Sequence, residues 1–127
     1  MLYVTVNESH EPSFAQDPNS IGGKVLRLMP DGSVPPDNPI AGNPLFTLGH
    51  RNSFGICVDP ATGDLWETEN GPTSDDEINL LRPGGNHAWP DVMGAIPRSS
   101  SVTPAGKGMC GSRNGPEPSL FTVQRSC

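Results

Sequence analysis

The sequence predicts an all-β fold. Apolar residues fall in short runs that alternate with polar ones or are rich in β-branched and aromatic side chains, the pattern of strands. Turn formers are abundant, with 15 Gly and 15 Pro in 127 residues. No stretch repeats apolar residues at helical spacing. Short strands divided by turn signals suit a sandwich, a barrel or a propeller.

The elements follow in order. "MLYVTV" at 1–6 is a β-branched and aromatic run and predicts the first strand. Residues 7–23 are polar and turn-rich and predict a long loop. "KVLRL" at Lys24–Leu28 alternates as a half-buried strand does. Asp31-Gly32 then marks a turn, and the prolines after it forbid a central strand. "LFTL" at Leu45–Leu48 predicts a third strand, 54–59 a fourth, Leu65–Glu69 a fifth and 77–81 a sixth. "PATG" between the fourth and fifth is a tight hairpin turn. This hairpin and the strand after it resemble part of a four-stranded propeller blade. After Met93 the chain becomes rich in Ser, Gly and Pro, with one apolar cluster at 120–123. Two parts are expected: residues 1–93 as the β domain and 94–127 as an irregular, disordered tail.

Bulk properties exclude several classes. The net charge is −6 and the pI about 4.8, with no Lys/Arg cluster, which argues against a nucleic-acid binder. No apolar run approaches the roughly 20 residues of a membrane-spanning helix. No basic segment or long apolar segment precedes the first strand, so no signal peptide is expected. Cys57, Cys110 and Cys127 form no CxxC pair, which leaves a zinc site unsupported. Cys57 lies in an apolar strand pattern and is expected to be a buried small hydrophobe. Cys110 and Cys127 could form a disulfide in an exported protein, a point the sequence leaves open.

Three constellations could carry chemistry. Arg51 and Asn52 lie in a loop between two strands. The planar Arg fork suits carboxylates, and Asn both donates and accepts. Gly71-Pro72 forms a corner that can leave two carbonyls pointing the same way, as hard cations require. Asp75, Asp76 and Glu77 are consecutive acids that repel one another unless a cation or donors lie near. They lack the spacing of an EF-hand loop. Alternation places Asp76 and Glu77 on opposite faces of the strand they open. His10, His50 and His87 show no partner by spacing and read as structural or exposed, and Trp66 and Trp89 as packing residues. Taken singly, each feature is better explained by the plainer reading: an Arg bonded to loop carbonyls, a plain turn and a solvated acidic loop.

The strings "LGHRN" at 48–52, "ENGPTSDDEINLL" at 69–81 and "GGNHAWPDV" at 84–92 closely resemble the glucose/sorbosone dehydrogenase family, as does "IGGKVLRLMPDGSVPPDNP" at 21–39. The resemblance covers residues 2–93. It implies a six-bladed β-propeller, of which this chain would form a fragment of about two blades with an irregular C-terminal tail. It also implies pyrroloquinoline quinone (PQQ) and calcium as cofactors. Arg51 and Asn52 match residues that contact the quinone. Gly71 and Pro72 match residues whose carbonyls bind calcium. Glu77 and His87 match a second calcium site found in some members. The implied reaction is oxidation of the anomeric C1 hydroxyl of an aldose to a lactone, with calcium activating the quinone.

The family's catalytic His lies in an earlier blade, and none of His10, His50 or His87 matches it. No catalytic residue is therefore assigned, and the chain alone is expected to be inactive. Two further departures stand out: "NESH" at 7–10 occupies the place of a "GD-x-G" motif, and His87-Ala88 that of the usual Tyr-Gly. A noncatalytic calcium-binding propeller or scaffold module is the alternative reading. Family members are largely periplasmic or secreted. A partial propeller would expose strand edges and self-associate through them.

Overall fold

The structure, a computed structural model, describes residues 1–93 and a short strand at 121–123. β1 (Leu2–Val6), β2 (Lys24–Leu28) and β3 (Leu45–Leu48) form a three-stranded antiparallel sheet. β4 (Ser53–Val58), β5 (Leu65–Glu69), β6 (Asp76–Leu81) and β7 (Phe121–Val123) form a four-stranded antiparallel sheet. Both are meanders, with chain neighbours paired throughout. The six strands expected within residues 1–93 all form, each bound falling within one residue of its place in the sequence pattern. The loop at 7–23 contains a single 3-10 turn at Pro12–Ala15. The tail expected at 94–127 lies outside the described residues except for β7, whose backbone pairs with β6 from Asp76↔Val123 to Ile78↔Phe121. Cys110 and Cys127 also lie outside them. Among the described residues no helix is long and apolar enough to cross a membrane.

Register decides which side chains meet. β5 pairs with β6 so that Leu65 faces Leu81, Glu67 faces Asn79 and Glu69 faces Glu77. Directly opposed residues share a face. That face is therefore apolar at one end and carboxylate-rich at the other. Leu65 and Leu81 join Val25 and Phe46 of the first sheet in a small core, with Tyr3 and Ile56 packed on it. Each such buried side chain contributes about 1.5–3 kcal/mol.

The opposite face of β4 corrects one expectation. Cys57 is exposed, not buried. It pairs with Trp66, while its neighbour Ile56 pairs with Glu67 on the core side. β4 is also an edge strand, with no further strand described beyond it. An apolar run alone could not tell which of the alternating residues faced inward.

The loop at 7–23 is fixed by a buried cation. The Lys24 ammonium is fully enclosed and donates to the carbonyls of Phe14 at 2.6 Å, Ala15 at 3.0 Å and Gly22 at 2.7 Å. This matters to the site, because the same loop carries the carbonyls that receive the next loop: Gly49 N–H donates to Ala15 at 2.9 Å and His50 N–H to Gly23 at 3.1 Å.

Candidate cofactor and cation site

The site begins where β3 ends. Gly49 turns the chain with φ +80, and a Cβ there would lie 2.2 Å from Asn86 Oδ1. Only glycine fits both the angle and the space. The turn is locked to residues 85–89 by a ladder of backbone bonds: Leu48 to Gly85, His87 to Leu48 and Trp89 to Gly49. Gln16 and Asn86 exchange side-chain hydrogen bonds at 3.2 and 2.8 Å across the same junction. Three segments far apart in sequence are thus drawn to one point.

Arg51 is held there by its backbone and its side chain. Its N–H donates to Glu69 Oε1 at 2.5 Å, and its carbonyl accepts from Glu8 N–H at 2.9 Å. The guanidinium Nη1 donates to the carbonyls of Asn70 at 3.2 Å and Gly71 at 3.1 Å. Its Cζ lies 5.3 Å from the centre of the Trp89 ring, within cation–π range. Both Arg51 Nε and Trp89 Nε1 are buried donors with no hydrogen-bond partner. Buried donors of this kind are rare and mark a place where an acceptor can be taken up.

A cavity of about 10 Å³ opens at this point, lined among others by Arg51, Gly71, Pro72, Glu77, His87 and Trp89. Five of the six residues that the resemblance matches to cofactor or metal sites therefore meet. Asn52 does not line the cavity; it acts through its backbone, its carbonyl accepting from Asn70 N–H at 3.0 Å. The volume is that of about one water-sized species, so it suits an ion rather than a ring system. A Cβ at Gly71 would fall on the Ser74 carbonyl oxygen, so the turn closes only with glycine there. Asp75 takes a left-handed conformation in the same turn, with φ 63.

Beneath the cavity lies a buried cluster that spacing did not reveal. His50 is fully enclosed. Its Nδ1 lies 3.0 Å from Glu67 Oε2 and 3.1 Å from Glu69 Oε2, and its Nε2 lies 2.8 Å from Thr47 Oγ1. Ser53 donates its hydroxyl to Glu67, and Asn79 donates to Glu69 at 3.4 Å. Burial alone would push His50 down, but the two carboxylates outweigh it and hold the imidazolium up at about 9. Burial would likewise raise Glu67, yet His50 and Ser53 keep it below the usual carboxylate value. His87 stacks on His50 with ring centres 4.5 Å apart. Burial and then the His50 charge lower His87 to about 3, so it is a neutral imidazole at neutral pH. Among the described residues, His50, Glu67 and Glu69 are the one group of three His, Cys, Asp or Glu side chains with ligand atoms within 4.8 Å. Glu77 and His87 do not belong to it.

A signal for this cluster was present in "LWETE". If Leu65 faces the core, then Glu67 and Glu69 share its face. Two carboxylates on a buried face demand a cation or donors, and His50 and Asn79 supply them.

Comparison with known proteins adds independent findings. The glucose/sorbosone dehydrogenase family model matches residues 1–123, further along the chain than the motifs quoted above. Quinoprotein glucose dehydrogenase B of Acinetobacter calcoaceticus is 44% identical over 100 residues, covering 73% of this chain and 21% of that protein. Aldose sugar dehydrogenase YliI of Escherichia coli is 34% identical over 112 residues, covering 84% and 30%. The PQQ-bound aldose sugar dehydrogenase of Streptomyces coelicolor superposes with a TM-score of 0.71 at 41% identity, covering 74% of this chain and 28% of that one. The apo aldose sugar dehydrogenase of E. coli superposes with a TM-score of 0.69 at 32% identity, covering 72% and 28%. The chain thus spans between a fifth and a third of the length of these relatives. The all-β meanders and this likeness bear out the propeller architecture expected from the sequence.

Proposed function

The chain belongs to the glucose/sorbosone dehydrogenase family, and from that premise we propose that residues 1–93 carry part of the cofactor site of a PQQ-dependent sugar dehydrogenase. Arg51 would hold a carboxylate of the quinone, and Asn52 would support it by fixing the loop through its carbonyl, which accepts from Asn70 N–H. The carbonyls of Gly71 and Pro72 would hold calcium, with Glu77 on the wall of the same cavity. A second cation position at Glu77 and His87 would use the His87 backbone carbonyl, since calcium takes oxygen ligands. The observation that carries this reading is the convergence of Arg51, Gly71, Pro72, Glu77 and His87 on one ion-sized cavity.

The residues fit a calcium ion in the cavity and a carboxylate of the quinone beside it. Calcium favours carbonyl and carboxylate oxygens. The Gly71 carbonyl already accepts from a cationic group, and Glu77 lines the same cavity. An anionic quinone needs charged donors, and Arg51 Nε is a buried donor without a partner beside the equally unmatched indole N–H of Trp89. The chemistry supplied by the bound cofactors is two-electron oxidation of an aldose C1 hydroxyl to a lactone, with the metal as Lewis acid.

The chain's own residues bind and orient. Arg51 offers a fork of donors from a backbone fixed by Glu69 and Glu8. Trp89 covers the guanidinium and excludes water from one side. No described histidine is placed as the base. His50 is enclosed and paired with carboxylates, His87 is pushed far below neutral pH, and His10 is exposed in the loop at 7–23. This part of the site therefore contributes binding rather than proton transfer.

Tryptophan fluorescence tests the reading, because Trp89 stands beside Arg51. PQQ added in saturating calcium is expected to quench the emission of a Trp66→Phe variant. No quenching in the folded protein would overturn the assignment.

A further inference from the structure

The Arg51 guanidinium rests on the oxygen proposed for calcium. Nη1 donates to Gly71 at 3.1 Å and to Asn70 at 3.2 Å. These are the bonds a cation makes with carbonyl oxygens, in a cavity with room for about one water-sized species. The Arg51 backbone is anchored separately, on Glu69 Oε1 and by Glu8 N–H. The head group can therefore exchange partners while the main chain stays in place. In its present pose the guanidinium leaves Nε buried and unpaired, so the pose does not satisfy all its donors.

We infer that Arg51 is the resident counter-cation of the Gly71 site: its guanidinium holds the carbonyl until a divalent cation takes that oxygen, and is then released to bind the anionic cofactor. This rests on the calcium reading above and adds an order of events to it. A calcium ion bonds oxygen at about 2.3–2.6 Å. A guanidinium nitrogen on the same oxygen would then face like charge across a few ångströms in a partly buried site, so the two compete. Once displaced, the planar fork is free for a carboxylate, its best-matched partner. Calcium and the quinone then raise each other's affinity by one common factor, as linkage requires.

Titration calorimetry of calcium into the full chain and into Arg51→Met tests this. Methionine keeps an apolar stem over Trp89, and the backbone N–H to Glu69 survives any side chain. The variant is expected to bind calcium about tenfold more tightly, within the usual range of coupling between sites. The gain in PQQ affinity that calcium gives the native chain is expected to vanish in the variant. Equal or weaker calcium binding by folded Arg51→Met overturns the inference and leaves the calcium site standing. No calcium binding by either protein overturns both. If Arg51→Met does not fold, the side-chain N–H resonances of Arg51 in the native chain decide instead. They are expected to move as calcium saturates, and unchanged resonances would overturn the exchange.

Discussion

Glu69 joins two elements of the site: one carboxylate oxygen accepts the Arg51 backbone N–H at 2.5 Å, and the other lies 3.1 Å from His50 Nδ1. The residues that follow Glu69 are Asn70 and Gly71, whose carbonyls receive the Arg51 side chain. One strand end thus fixes both the donor residue and the carbonyls it meets.

Replacing Glu69 by Gln removes a buried charge and leaves the His50 imidazolium with Glu67 alone. A charge-assisted bond of this kind contributes about 1.5–3 kcal/mol, and the loss is expected to appear as a lower urea midpoint with an unchanged slope. A midpoint equal to that of the native chain would show that Glu69 is not structural.

Stability is expected to peak near pH 6.5 and to fall on both sides. His50 is raised from 6.5 to about 9 in the folded chain, so its contribution is complete below 6.5 and is lost as pH rises through about 9. His87 is lowered from 6.5 to about 3, so its unfolded form takes up a proton first and stability falls as pH drops from 6.5 toward 3. Glu67, held below 4.5, adds to the loss on the acid side. Thermal melts from pH 4 to 9 measure this. A flat profile between 6.5 and 9 would exclude the His50 pairing.

Gly71→Ala places a Cβ against the Ser74 carbonyl. The turn must reopen, at a cost of about 1–3 kcal/mol for overpacking, and the carbonyl proposed for calcium moves with it. Calcium affinity in titration calorimetry is expected to drop more than tenfold, whereas Gly63→Ala, with open space around its Cβ, leaves it unchanged.

Self-association is expected through β4, an edge strand that leaves Phe54 71% and Val58 55% exposed. Exposed apolar edges template pairing with another chain, and a lysine on the edge blocks it. Sedimentation should show concentration-dependent association that Val58→Lys reduces. A monomer at all concentrations would remove this expectation.

Much of the architecture was legible because strands alternate. "KVLRL" and "EINLL" alternate, and β2 and β6 lie where the pattern puts them, but their faces do not follow it: Lys24 is fully enclosed, and Asn79 and Leu81 rather than Ile78 and Leu80 are the buried residues of β6. Gly71, Pro72 and Glu77 could be singled out in the sequence because carbonyl corners and carboxylates are local features, and the structure brings all three to one cavity. The buried partners were not legible. His50 meets Glu67 and Glu69 only through the pairing of β4 with β5 and the folding of the turn at 49–52, and tertiary register is not written in any one window. Trp89 read as packing because its unpaired N–H becomes apparent only once Arg51 lies against its ring. Cys57 read as buried because the edge position of β4 is a property of the sheet, not of the strand.

The most direct test of the site is calorimetric titration of the purified chain with calcium and then with PQQ in saturating calcium, beside the Arg51→Ala variant. The account predicts calcium binding by both proteins and quinone binding by the native chain alone. A folded native chain that binds neither calcium nor quinone would contradict it.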